Sequence, residues 1–121
     1  MKYLILIYGN PESREIWSKL SDEQRSQGWG AYAELTKAVD EAGELIATAP
    51  LAEPSEVKRI TATDGRTLTT DGPFAEVKEH LAGFYLLECE SLERAVERAA
   101  QIPEAAFGLV EVHPTREPGG F

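Results

Sequence analysis

The stretch "KYLILIYG", Lys2 to Gly9, is rich in Ile, Leu and Tyr and is halted by Gly9-Asn10-Pro11. An apolar run of that length with a hard stop reads as a β-strand covered on both faces. "GFYLLECE", Gly83 to Glu90, has the same character. Two such strands in one chain of 121 residues belong at the centre of a sheet, and the remaining segments must supply its edges and its cover.

Working outward, Asn10-Pro11 leads into a short polar stretch around Ser13 to Lys19 with helical character. Ser21, with Gln24 three residues on, is a capping-box signature that opens a helix to about Ala42. Trp29, Tyr32, Leu35, Val39 and Ala42 form its apolar face, and Gly43 ends it in the C′ position. Gly28 and Gly30 each weaken that helix by about 1 kcal/mol relative to Ala, which suggests a kink or a close approach to its backbone near Trp29. "ELIATAPL", Glu44 to Leu51, is a second strand. Asp64-Gly65, flanked by alternating segments, marks a β-hairpin. Ser91 caps a second amphipathic helix whose apolar positions are Leu92, Ala95, Val96, Ala99 and Ala100. "GLVEVHP", Gly108 to Pro114, is the last strand.

Strand, helix, strand, inserted hairpin, strand, helix, strand is two β-α-β halves, and this predicts a ferredoxin-like α+β sandwich. The expected domain spans residues 1–114, with 115–121 as a loose tail. Two helices cover one face of such a sheet. The other would expose more apolar surface than the few hundred Å² a soluble monomer tolerates, so a homodimer packed sheet against sheet is expected.

Composition narrows the function. A formal net charge of -9, with the 12 basic residues scattered, argues against nucleic acid, whose phosphates need clustered Lys and Arg. No apolar run approaches the ~20 residues that span a bilayer, so no membrane residence is expected. One cysteine, Cys89, excludes an internal disulfide and a thiolate-rich zinc site, and reads as a small core hydrophobe in a chain of the cytoplasm. The two histidines, His80 and His113, match no metal-ligand spacing, so neither a metal nor a cofactor is expected.

Chemistry concentrates in "TTDGPFAEVKEHLAGFYLLE", Thr69 to Glu88, where Asp71, Glu76, Lys78, Glu79 and His80 crowd the approach to a buried strand. This stretch, with "MKYLILIYG", "AYAELTKAVDEAGELIATAPL" and "GLVEVHP", resembles the YCII-related, or DGPF-domain, family over nearly the whole chain. The resemblance implies a dimeric α/β barrel of ferredoxin-like subunits. It implies little about activity: some relatives accompany extracytoplasmic-function sigma factors, and a more distant YciI-like relative is a cofactor-free dehydrochlorinase acting on a chlorinated hydroxyquinol. YciI-like members carry a first-helix histidine proposed to pair with an aspartate. Tyr32 stands at that position here, so that dyad does not carry over.

Residue by residue, Asp71 cannot bond the backbone two residues on, because Pro73 has no N–H; it either caps a turn begun by Pro73 or serves a ligand. Gly72 supplies backbone freedom. Phe74 is core or pocket wall. His80 titrates near neutrality; Glu76, Lys78 and His80 share a face if extended, and Glu76 meets His80 if helical. These residues are either a solvated connector or an acid/base site, and Lys78 could bind an anionic group or pair with Glu76 or Glu79. Trp29 and Tyr32 are core aromatics, or walls of a cleft in which the Tyr32 hydroxyl orients a phenolic or carbonyl substrate. The expected site has Asp71, His80 and Tyr32 as catalytic groups and Phe74, Glu76, Lys78 and Trp29 around the substrate. The expected function is a small-molecule-binding protein or a cofactor-free lyase, isomerase or dehydrohalogenase. The rival reading is a regulatory module acting on a transcription partner.

Overall fold

The structure, a computed structural model, describes residues 1–73 and 78–118. Phe74 and Glu76 therefore lie outside the described residues, as does the end of the tail, 119–121. The chain runs β1 (Lys2–Gly9), α1 (Pro11–Lys19), α2 (Asp22–Glu41), β2 (Leu45–Pro50), β3 (Lys58–Thr63), β4 (Arg66–Asp71), β5 (His80–Glu88), α3 (Leu92–Ala99) and β6 (Val110–Pro114). Short 3-10 turns occupy Pro54–Glu56 and Pro103–Phe107. β1 and β5 are the inner strands of an antiparallel sheet ordered β2-β5-β1-β6. This is a ferredoxin-like α+β fold.

Alternation along β1 divides the sheet into two unlike faces. Tyr3, Ile5 and Ile7 are buried under the helices with Tyr85 and Leu87 of β5, and they pack on Leu35 and Val39 of α2 and Ala95 and Ala99 of α3. Leu4, Leu6 and Tyr8 point the other way and are only half-buried, as are Phe84 and Leu86 opposite them. So β1 is covered on one face within the protomer, not on both.

Local signals set the helix ends. Asn10 accepts from the Ser13 N–H at 2.8 Å and Ser13 Oγ accepts from the Asn10 N–H at 3.0 Å, a capping box that starts α1 directly after β1. Ser21 and Gln24 do the same for α2. α2 is unbroken through Gly28 and Gly30. What approaches Gly28 is Trp17 of α1: a Cβ there would lie 3.0 Å from its Cζ3. Trp17 also meets Trp29 edge-on, with ring centroids 5.8 Å apart. Trp29 is consequently 57% exposed, outside the core face the spacing predicts, because α1 shares that side of the helix.

α3 also differs from its predicted face. Leu92 and Val96 are exposed, while Ala95, Arg98 and Ala99 turn inward. The cause is Glu44, which accepts from Arg98 Nε at 2.8 Å and from Arg94 Nε at 3.0 Å. With its charge matched there, Arg98 takes a buried position beside two alanines small enough to let the helix settle on the sheet. Cys89 follows β5 rather than lying within it; its thiol is buried, and burial raises its pKa.

β3 and β4 form a separate two-stranded ribbon turning at Asp64 (φ 51°) and Gly65 (φ 76°), the left-handed pair a two-residue hairpin loop requires. Every residue of both strands is exposed, including Ile60 and Leu68. At the other end of the chain, the Thr115 N–H and Oγ both donate to the Lys2 carbonyl and tie that residue to β1.

Candidate functional site

Gly9, the last residue of β1, pairs with His80, the first of β5, and the first residue of β6, Val110, stands opposite Ile7. One end of the sheet is thereby defined. On it one edge of the His80 ring lies against Gly9 on the helix-covered face: a Cβ on Gly9 would fall 2.9 Å from Nε2 and 3.0 Å from Cε1. Only glycine leaves room for the imidazole there.

The capping box after Gly9 places Arg14 in the first turn of α1, where its N–H donates to the Asn10 carbonyl at 3.0 Å. Arg14 Nη2 donates to Glu53 Oε2 at 2.9 Å, joining α1 to the turn at Pro54. His80 has its pKa lowered, first by burial and then by the Arg14 charge, against a smaller opposing pull from Glu53. A half-buried imidazole shifted in this direction is neutral at pH 7 and keeps one ring nitrogen as a proton acceptor.

Tyr32 has a partner of its own. Its hydroxyl donates to the Glu104 carboxylate in the 3-10 turn before β6, and its backbone carbonyl accepts from the Tyr85 hydroxyl at 3.5 Å, which in turn meets Thr36 at 2.8 Å. Burial and the bond to Glu104 raise the Tyr32 pKa, so the phenol stays protonated across the neutral range. It can serve as a donor, not a base. Trp29 leans on its ring at 5.9 Å.

Asp71 ends β4 and accepts from Lys58 Nζ, its register partner across the ribbon. Gly72 follows with φ 86°, and its N–H donates to the Val57 carbonyl at 2.6 Å, closing the base of the ribbon. Lys78 is exposed. His113 meets Glu111 at 3.1 Å on the uncovered face, and Glu111 also accepts from Tyr8.

The structure thus groups His80 with Gly9, Arg14 and Glu53, and Tyr32 with Trp29 and Glu104. It sets Asp71 with Lys58 on the ribbon. Arg14, Glu53 and Glu104 carry no functional signal in the sequence, and Gly9 marks only the end of a strand. Asn10 and Ser13 at capping-box spacing were the one clue, since they place Arg14 a single turn beyond the end of the strand.

The family model for the YCII-related domain matches residues 1–117. The chain belongs to this family. It is 35% identical over 116 residues to an uncharacterised protein of Rhizobium meliloti, covering 94% of this chain and 91% of that one. Among solved structures it is similar to 5-chloro-2-hydroxyhydroquinone dehydrochlorinase from Burkholderia phenoliruptrix in complex with 2,5-dihydroxybenzoquinone. That match has a TM-score of 0.54 at 17% identity and covers 97% of this chain and 95% of the other, a likeness of fold. Among the described residues of this YCII-related chain, no helix is long and apolar enough to cross a membrane.

Proposed function

We propose that this YCII-related protein binds a small molecule at the Gly9–His80 end of the sheet and acts on it by proton transfer, without a cofactor. The observation that carries this is the His80 ring held against Gly9 at the end of the sheet, with a pKa lowered by burial and by the Arg14 charge. A base fixed by packing, with a pKa moved by its surroundings, is what general base catalysis requires. His80 takes the proton from carbon or oxygen, and the electrons left behind form a double bond, with loss of a leaving group in a lyase or dehydrohalogenase reaction. Tyr32 with Trp29 forms the helical wall, and Glu104 orients the Tyr32 hydroxyl. Lys78 leads into His80 and stands at the rim, while Asp71 with Lys58 braces the ribbon. The fold neighbour that holds a dihydroxyquinone supports a ligand of that size and type.

The protein works as a homodimer in the cytoplasm on this reading. Leu4, Leu6, Phe84 and Leu86, with Ala47 and Ala49 of β2 beside them, give the uncovered sheet face an apolar centre suited to a second copy in a dimeric barrel.

Small phenols, quinones and carboxylic acids, 2,5-dihydroxybenzoquinone among them, test the site by thermal shift and calorimetry. Ligand at 100 times its Kd stabilises the folded state by about 2.7 kcal/mol, a shift of several degrees. His80→Gln is expected to keep the fold and lose turnover. A wild-type protein that none of these compounds stabilises has no such site.

A further inference from the structure

We propose that Arg14 is the anion-binding residue of this site and that its ligand carries an ionised carboxylate or phenolate. The inference rests on reading His80 as the base. Three observations carry it. Arg14 is anchored in the first turn of α1, one helical turn from the glycine on which the imidazole lies, so its position is set by backbone bonds rather than by a flexible loop. Arg14 and Glu53, bonded at 2.9 Å, are the two charged groups among the described residues that bear on His80. The carboxylate contact of Arg14 among the described residues, Glu53, is made at the surface: the two side chains are 54% and 68% exposed.

An exposed pair of this kind adds little to stability. Glu53 holds the guanidinium in place through Nη2, and a guanidinium has five N–H donors in a planar fork. A ligand carboxylate can therefore share the fork or displace Glu53, with bidentate geometry that an amine or hydroxyl of the ligand would not match. In a chain of net charge -9, a small anion needs such a local cation to approach at all. Neutralising Arg14 also removes the positive charge that disfavours protonated His80. Binding the anion makes the neighbouring imidazole a stronger base at the moment it is needed.

The test compares two probes that share a ring: 2,5-dihydroxybenzoate, ionised at pH 7, and neutral 2,5-dihydroxybenzamide, each titrated calorimetrically into the full chain. Wild type is expected to bind the carboxylate at least tenfold more tightly than the amide, and less so as salt rises. Arg14→Gln should weaken the carboxylate about 10- to 100-fold, the size of one hydrogen bond to a charged group, and leave the amide unchanged. Glu53→Gln should tighten the carboxylate. Melting curves check that both variants fold. Equal affinity for the two probes in wild type, or an equal loss of both in Arg14→Gln, overturns the anion role and leaves the site standing. If neither probe binds wild type, the site and this inference fall together.

Discussion

Gly9→Ala separates the position of the base from its identity. The new methyl would sit 2.9 Å from His80 Nε2, 3.0 Å from Cε1 and 3.8 Å from Cδ2. Comfortable carbon contacts lie at about 3.5–4.0 Å, so the near edge of the ring must retreat by roughly 0.5–1 Å. The backbone cannot absorb this, because Gly9 and His80 are paired across the two central strands. The ring must swing instead. A side chain about 30° off its rotamer costs about 0.5–1.5 kcal/mol, while replacing a glycine within a strand returns about 0.5–1 kcal/mol. The net change in stability is expected to stay within about 1 kcal/mol.

The imidazole, however, moves toward water. Burial is the larger cause of its lowered pKa, so that pKa should rise toward the ordinary value of about 6.5. With only two histidines in the chain, the ring-proton resonances of His80 can be followed by NMR as pH changes. The sign for stability follows from the same shift. A histidine with a lowered native pKa stabilises the fold fully above its unfolded pKa, and that contribution is lost as pH falls from about 6.5 through the native value. In the alanine variant this acid-side loss should flatten. An unmoved His80 titration refutes the seating of the ring on Gly9. A stability loss above about 3 kcal/mol refutes the claim that the ring can yield.

Glu44→Ala should cost about 3–5 kcal/mol by chemical denaturation, because it strands Arg98, whose side chain is 10% exposed; Glu15→Ala, on the exposed pair with Lys19, should cost under about 1 kcal/mol. Burial works to raise the Glu44 pKa, but the bonds from Arg94 and Arg98 outweigh it and hold the group low. Its contribution is therefore present above the ordinary carboxyl value and lost as pH falls through the depressed one, an acid limb that Glu44→Ala should lack. Tyr32→Phe removes the donor to Glu104 and should cost about 1–2 kcal/mol without altering the pH dependence near 7, since the phenol does not titrate there. Amides of the β3–β4 ribbon should exchange with solvent far faster than those of β1 and β5, because a lone two-stranded ribbon is marginal in water; strong protection would contradict its independence. Sedimentation should give a dimer at micromolar concentration that Leu6→Glu converts to monomer, and a wild-type monomer would dismiss the sheet-to-sheet reading.

Much of the fold could be read from the sequence because its signals are local and agree with one another. Two apolar runs became the two central strands, Ser21 with Gln24 and Ser91 became helix caps, and Asp64-Gly65 became the hairpin turn. Reading failed where the outcome depends on residues distant in sequence. Periodicity assigned Leu92 and Val96 to the core, and it could not foresee that Glu44, some fifty residues away, would draw Arg98 inward and rotate that face of α3. Trp29 followed the helical spacing but lost its core position to α1, whose Trp17 needs the gap at Gly28. For the proposed site, the crowded segment before β5 draws attention to His80, whereas in the sequence Gly9 marks only the end of a strand. Its pairing with His80 across 71 residues is a matter of register, which no local pattern states.

Two charge clusters in this protein show why a partner's exposure matters more than its presence. Around Glu44, two arginines and a carboxylate are bonded to each other under α3, with the Glu44 side chain 12% exposed. Breaking that arrangement leaves a buried charge unmatched, so it fixes structure and has nothing to offer a ligand. Around His80 the same residue types stand at the rim. Arg14 and Glu53 hold each other loosely in water, and the imidazole is half-buried and neutral. Exchanging one carboxylate for another costs little there. A site that must accept and release an anion needs the second arrangement. On that ground the proposed chemistry is assigned to His80 and Arg14, and the larger Glu44 cluster to the core.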